Sequence, residues 1–306
     1  MLAKQSEIYF LWDATLCNPN GDKSADNAPR FDDVDEKAIV SDVRIKRTIR
    51  DDLQYRKEDK KHLIFINNEE ILKKGLTAEQ RFDEIKKKVK DKNGKEAFLS
   101  CIDNRLFGGV APNSNIQLIG TVQFGWTKTL NKTEAVLKSG TGAFATKGKD
   151  GEAKFKKTFR ADNYIPYGCF GAYGTINRIH AQNCNTSEGD IKEMLDSLWF
   201  GTKFLNTRSK EGQKPRMLMR ITYNENSKYF IGLLNQLVRL KNEDTSLVNS
   251  IESADIEFEK LISAINRANN EIEKVEIILD ESMKKYEKEL NTIEKVEIKD
   301  EFSLMT

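Results

Sequence analysis

"CNPNGDKSADNAPRFDD", residues 17–33, separates the apolar run EIYFLW (7–12) from the basic run VSDVRIKRTIRDDL (40–53). The first run, rich in aromatic and branched residues, reads as a buried strand over 7–13. The second reads as a helix starting at Val43, with Ser41 or Asp42 as its cap. Ile45, Ile49 and Leu53 recur at i, i+4 and i+8 and form its core stripe. Arg44, Lys46, Arg47 and Arg50 then fall on its other sides. The stretch between them breaks regular structure for separate reasons: Pro19 and Pro29 fix φ, Gly21 admits positive φ, and Asn18, Asn20 and Asp22 bond to nearby backbone. Such a long aperiodic connection is uncommon in a compact domain and is usually functional or disordered. A solvated surface loop is the competing reading.

The whole chain bounds the choices. With 306 residues, 38% hydrophobic and 32% charged, it suits one or two domains with much surface. The four cysteines form no CxxC pair and the two histidines, His62 and His180, give no ligand pattern beside them. Reduced thiols are expected, with no metal and no cofactor. His62 and His180 are both placed on strand-like runs with structural roles. No apolar run approaches the roughly 18 residues of a membrane span, and the first ten residues lack the apolar core of a secretory signal. A cytoplasmic protein with no membrane partner is expected. Net charge is only +2, but residues 251–301 hold 15 acidic residues against 8 basic, leaving the rest of the chain at +9. A basic body suits a polyanion; head-to-tail contact between copies is the second possibility.

Along the chain, helical patterns run through 69–100, where FDEIKKKVKDK shows no wide apolar face. NIQLIGTVQFGWTKT (115–129) is strand-like, and 130–163 lacks a core pattern. IPYGCFGAYGTINRI (165–179) is a second strand region. Ser187 and Asp190 open a helix, and PRMLMRITYN (215–224) is a further strand. The order β-α-(insertion)-β-(insertion)-β-α-β is that of an α+β, ferredoxin-like or RRM-like unit with insertions. Downstream, 229–240 reads as strand or helix, 258–272 as helix, KVEIILD as strand, and SMKKYEKELNTIEKVEI as a final charged helix.

Four places could hold chemistry. The helix at 43–53 sets basic side chains beside a glycine-bearing loop, as an RNA groove requires; an ordinary solvated helix is the alternative. Residues 138–160 hold Lys138, Lys147, Lys149, Lys154, Lys156, Lys157 and Arg160 against Asp150 and Glu152, with Phe144, Phe155 and Phe159 interleaved. This is a β-hairpin that presses rings on bases, or else a disordered loop. RSKEGQKPR (208–216) adds Arg208 and Lys210 as backbone contacts. Asp26, Asp32, Asp33 and Asp35 could bind a metal and support hydrolysis, though no His or Lys base is near them in sequence.

FLWDATLCNPNGDKSADNAPRFDD followed by VSDVRIKRTIRD resembles the opening signature of the CRISPR Cascade backbone subunits, the Cas7 family, in its type I-B and I-C branch. DNRLFGG (103–109) and YIPYGCFGAYG (164–174) resemble two later motifs of that family, in the same order. The resemblance implies an RRM-like palm (1–53, 103–129 and 164–280), a helical finger insertion (54–102), a β-hairpin thumb insertion (130–163) and a C-terminal helix and tail (281–306). It implies a non-catalytic subunit that multimerises along guide RNA (crRNA). RNA contacts would come from Asn18, Asn20, Lys23, Arg44, Lys46, Arg47, Arg50, Arg208 and Lys210, and from Phe144, Lys147, Lys149, Lys154, Phe155, Lys156, Lys157 and Arg160 of the thumb. The implied partners are crRNA, the target DNA strand paired to it, other copies of the chain, and the large, five-prime-handle-binding and repeat-processing endoribonuclease subunits. Related type III subunits cut RNA with a loop aspartate, but their surrounding glycine motif is absent here. A metal-dependent endoribonuclease using Asp26, Asp32 or Asp33 is the alternative.

Overall fold

The computed structural model describes residues 1–55, 62–91, 93–147 and 153–301, and the backbone alone over 141–147 and 153–161. Its principal elements in chain order are β1 (Ser6–Cys17), α1 (Asp42–Tyr55), α2 (Asn68–Lys74), α3 (Ala78–Val89), α4 (Lys95–Ser100), α5 (Ile102–Phe107), β2 (Val122–Phe124), β3 (Val136–Lys147), β4 (Ala153–Ile176), α6 (Arg178–Cys184), α7 (Glu188–Lys203), β5 (Gln213–Tyr223), α8 (Glu259–Arg267), β6 (Ile272–Leu279) and β7 (Val296–Asp300). The strands form one central sheet of order β3-β4-β1-β5-β6-β7, with β2 beside the far end of β4. All pairings are antiparallel except β6 with β7, so the sheet is mixed.

The period-two alternation of strands sorts β1 onto two cores. Ile8, Phe10, Trp12 and Ala14 join Ile45, Ile49 and Leu53 of α1 and Ile191, Met194 and Leu198 of α7 on one face. Trp12 stacks between Phe10 and Phe170, with ring centroids 5.3 and 5.0 Å away. Tyr9 and Leu11 face the other way, with Tyr167, Cys169, Met217, Met219 and Ile221. That second face is closed by the C-terminal segment through Leu234, Val248, Phe258, Leu261, Met283 and Leu290. The glycines of 168–174 serve this packing. A Cβ on Gly171 would fall 2.5 Å from the Tyr9 hydroxyl.

β4 is one continuous strand with three partners, β3, β1 and, at its far end, β2. Ala153–Tyr164 pairs with β3, and Ile165–Ile176 runs on into the central sheet beside β1. At about 3.3 Å per residue, the β3–β4 hairpin is roughly 40 Å of paired backbone.

Several expectations need correction. The run 115–129 is broken into Gln117–Ile119, β2 and Thr127–Lys128 rather than one strand. His62 lies outside any strand and its Nε2 sits 2.6 Å from Glu193; His180 lies in α6. The helical region does own a core: Phe65, Phe82 and Phe98 meet edge to face over Ile85 and Ala97. Residues 229–240 form neither helix nor a long strand, only a 3-10 turn at Leu234–Gln236 and a two-residue pairing with Ile256–Glu257. The charged run 282–298 is not one helix. Glu281–Tyr286 is a 3-10 turn, Glu287–Leu290 one helical turn, and Val296–Asp300 adds a parallel edge strand. Burial of Met283, Tyr286, Leu290 and Ile293 against the sheet overrides the helix propensity of the lysines and glutamates between them.

Gly171→Ala should cost about 1–3 kcal/mol by overpacking against Tyr9. Gly189→Ala, whose Cβ would find only the Ser187 hydroxyl at 3.4 Å, should be neutral or slightly stabilising. Urea unfolding of the two variants beside the wild type checks the contrast.

Candidate nucleic-acid interface

The polar stretch after β1 folds on itself into two small hairpins, Gly21–Asp22 with Ala28–Pro29 and Phe31–Asp32 with Lys37–Val40. Gly21 has no room for a side chain, because a Cβ there would lie 2.0 Å from Asn27 Oδ1. Two asparagines hold the loop from inside. Asn18 is buried; its Nδ2 donates to the Asn27 carbonyl at 2.6 Å. Its N–H donates to the Ser209 carbonyl at 2.8 Å. Asn20 is also buried, and its Oδ1 accepts from Ser41 N–H and Oγ, both at 2.9 Å. Ser41 is the helix cap, since its Oγ accepts from Arg44 N–H at 3.3 Å. The expected RNA contacts Asn18 and Asn20 are therefore internal braces. A long loop must satisfy its own buried backbone groups, and short amides do that work.

The basic helix is also corrected in detail. Arg50 points inward: its Nε donates to Asp103 Oδ2 at 3.0 Å, with the guanidinium 5.0 Å from the Phe107 ring centre. It is no phosphate ligand. Arg47 pairs with Asp51 at 2.6 Å, and Lys46 bridges Asp42 and Gln123 at 3.0 and 2.9 Å. Arg44 donates to Thr48 Oγ1 at 2.8 Å, and burial lowers its pKa. DNRLFGG proves to be architectural. Asp103 accepts from Arg50 and from the N–H groups of Phe65 and Ile66, while Arg105 pairs with Asp190 of α7 at 2.6 Å.

What the fold does bring together is a groove of about 760 Å³ at the rim of the sheet, where β1 ends and β4 leaves it for the hairpin. Three remote segments line it: Leu16, Asn18, Asp26 and Asn27; Lys138, Asp162, Asn163 and Tyr164 at the root of the β3–β4 hairpin; and Thr207, Arg208 and Ser209. Asn163 Nδ2 donates to the Asp26 carbonyl at 3.0 Å, joining loop to hairpin. Lys138 is exposed, and Arg208 is exposed and paired with Asp162. Lys210 lies just beneath, its Nζ donating to the Asn18 carbonyl. Burial, with the nearby Arg44 charge, pushes its pKa down to about 8. Lys23 stands exposed on a 3-10 turn of the loop. Leu16 and Tyr164 were not legible as groove residues, because only the tertiary meeting of three segments defines it; Lys138 was read as a basic residue of the hairpin.

The side chains of Phe144, Lys147, Lys154, Phe155, Lys156, Lys157 and Arg160 lie outside the described residues, as does all of Lys149. The candidate aspartates are only partly gathered: Asp32 and Asp35 share Lys128, the latter at 2.7 Å. Asp32 pairs with Lys128 at 2.5 Å and accepts from Val34 and Asp35 N–H groups, which holds its carboxyl below the usual range. Asp26 sits in the other hairpin with φ 48°. Among the described residues no group of three His, Cys, Asp or Glu could hold a metal ion, and no helix is long and apolar enough to cross a membrane. All four cysteines are buried and free.

The family described as CRISPR-associated protein Cas7 matches residues 4–259. The chain is 30% identical over 313 residues to a CRISPR-associated protein Cas7 of Haloferax volcanii, covering 90% of this chain and 87% of that protein. Its fold is similar to chains of a CRISPR RNA-guided surveillance complex (TM-score 0.57, 12% identity, 96% and 94% of the two chains) and of a pre-nicking form of such a complex (TM-score 0.58, 12% identity, 98% of each).

Asp103→Ala should destabilise by about 3–5 kcal/mol, since it strands a buried guanidinium and two backbone donors. Arg208→Ala, at an exposed pair, should change stability by no more than about 1 kcal/mol. Chemical denaturation of each variant tests whether the Asp103 motif is a structural bolt or part of the binding surface.

Proposed function

The chain belongs to the CRISPR-associated Cas7 family, and on that footing we propose that it is a non-catalytic backbone subunit which binds guide RNA and multimerises along it in a type I Cascade surveillance complex. The observation that carries the reading is the rim groove. Lys138 and Arg208 line it from segments remote in sequence, and Lys210, in the same loop as Arg208, lies beneath it on the Asn18 carbonyl. Cations beside a polar loop suit a phosphate backbone.

The architecture fits the same role. Across the sheet, β2-β4-β1-β5 with α1 and α7 on one face is the strand order of a ferredoxin-like palm. The helices between α1 and β2 correspond to fingers, and the β3–β4 hairpin corresponds to a thumb able to reach a neighbouring copy. An ordinary RRM stacks bases on the open sheet face. Here that face lies under the C-terminal segment, so RNA is assigned to the rim and the hairpin. The target DNA strand would meet the protein through its pairing with the guide. Other copies, the large subunit, the five-prime-handle-binding subunit and the repeat-processing endoribonuclease are the remaining proposed partners, and strand cleavage is left to a recruited enzyme.

Light scattering of the full chain with RNAs of increasing length should show stepwise growth. One protein per RNA at every length would refute the reading. Replacing Lys138, Arg208 and Lys210 together by Ala should flatten the log–log salt dependence of binding by about 2, at about 0.7 per lost phosphate contact.

pH gives a separate check on Lys210. Its pKa near 8 in the free protein must rise when a phosphate sits beside it, so the complex holds the proton more tightly. Affinity should be full below about pH 8 and fall as the pH rises through that value. Lys210→Arg, charged throughout, should remove the fall; an equal fall in this variant would remove Lys210 from the interface.

A further inference from the structure

Leu16 is out of character with the groove it lines. Its side chain is 68% exposed among polar and charged neighbours, and its φ is 50°, in the left-handed region. Bulky residues rarely adopt that conformation, which favours glycine and asparagine. The backbone has clear reasons to turn there. β1 pairs Thr15 with Tyr167 and Cys17 with Ile165, which leaves Leu16 opposite Pro166, a residue with no N–H for the ladder. On the other flank the pairing with β5 has already ended at Ala14 and Gln213, and Thr15 N–H makes a last bond to the Gly212 carbonyl at 2.9 Å. The sheet lets go of residue 16 on both sides. Nothing in this asks for leucine, since glycine would suit the backbone and a polar residue the solvent.

We infer that the Leu16 side chain is a nucleobase contact, an apolar wedge set against a base of a single strand whose phosphates lie along Lys138, Arg208 and Lys210. Single-stranded nucleic acid presents both surfaces at once, charged oxygens along one side and apolar faces along the other. Leucine is among the side chains that insert between bases. The half-buried ring of Tyr164, on the hairpin side of the same groove, offers a second surface to a base. The inference deepens the RNA-binding reading above and rests on it. It adds that this groove grips bases as well as backbone, without regard to which base.

The test uses the full chain and two probes: a short oligouridine, and the same ribose-phosphate backbone with abasic positions. Leu16→Gly should raise the melting temperature, because glycine relieves the backbone. It should weaken oligouridine binding roughly fivefold while leaving abasic binding unchanged. Leu16→Met, flexible and still apolar, should keep wild-type affinity for oligouridine. An equal effect of Leu16→Gly on both probes, or none on either, overturns the wedge while the RNA-binding reading stands. Self-association lost with RNA affinity intact also overturns it, assigning Leu16 to a protein contact. If the wild type binds neither probe, the RNA-binding reading fails and the wedge falls with it.

Discussion

Strand β1 is covered on both faces, and the rest of the fold is arranged around that. Strand β1 lies between β4 and β5 with Ile8, Phe10 and Trp12 under two helices and Tyr9 and Leu11 under the C-terminal segment. A strand so placed must bury its polar residues too, and it does so only with partners. Glu7 accepts from the Tyr173 hydroxyl at 2.6 Å and from the N–H groups of Ile231 and Gly232 at 2.8 and 2.7 Å, which ties the entry of the C-terminal segment to the sheet. Asp13 is held by Arg216 at 2.8 Å and by Tyr167, and burial still raises its pKa. Beyond β1 the cover is less complete: beside α7 an opening of about 470 Å³ is lined by Leu218 and Arg220 of β5 and Glu276 and Ile278 of β6.

Buried ion pairs then set how the parts sit on the sheet. Arg50–Asp103 joins α1 to the start of α5, Arg105–Asp190 joins α5 to the cap of α7, and Arg220–Glu188 joins β5 to the same helix start. Desolvation offsets much of the attraction in such pairs, so their contribution is to orientation more than to net stability. They also explain why counting cations overstates the basic surface. Helix α1 carries four, yet Arg50 is interior and Lys46 and Arg47 answer carboxylates one turn away. At the groove too Arg208 answers a carboxylate, Asp162, while Lys138 stands exposed.

This marks how far the sequence could be read. Strand β1, the cap and stripe of α1, the Ser187–Asp190 opening of α7 and strand β5 follow from local pattern, because period and capping are properties of neighbouring residues. The break into a long polar connection was legible as well, down to the turn-forming residues. Its inner architecture was not. Asn18 and Asn20 look like free amides until Asn27 and Ser41 fold back on them. Arg50 looks solvent-facing because its partner lies 53 positions away. The acidic end reads as a charged helix because lysine and glutamate dominate its local propensity. A few apolar residues, Met283, Leu290 and Ile293 among them, decide otherwise once a sheet face is there to receive them.

The groove itself is held in a costly state. Lys210 is buried enough to lose part of its affinity for a proton, and Arg44 adds like charge beside it. Leu16 keeps a backbone angle that disfavours its side chain and leaves that side chain in water. Groups kept in unfavourable states by a well-braced surround belong more often to binding sites than to scaffolding. The surround here is well braced: Asn18, Asn20, Gly21 and Gly212 fix the chain on either side through hydrogen bonds and close approaches. A phosphate beside Lys210 would hold its proton more tightly and offset the Arg44 charge, and an apolar base face over Leu16 would take its side chain out of water. One ligand relieves both, provided it has an anionic edge and an apolar face a few ångströms apart. A nucleotide has that combination in a single residue.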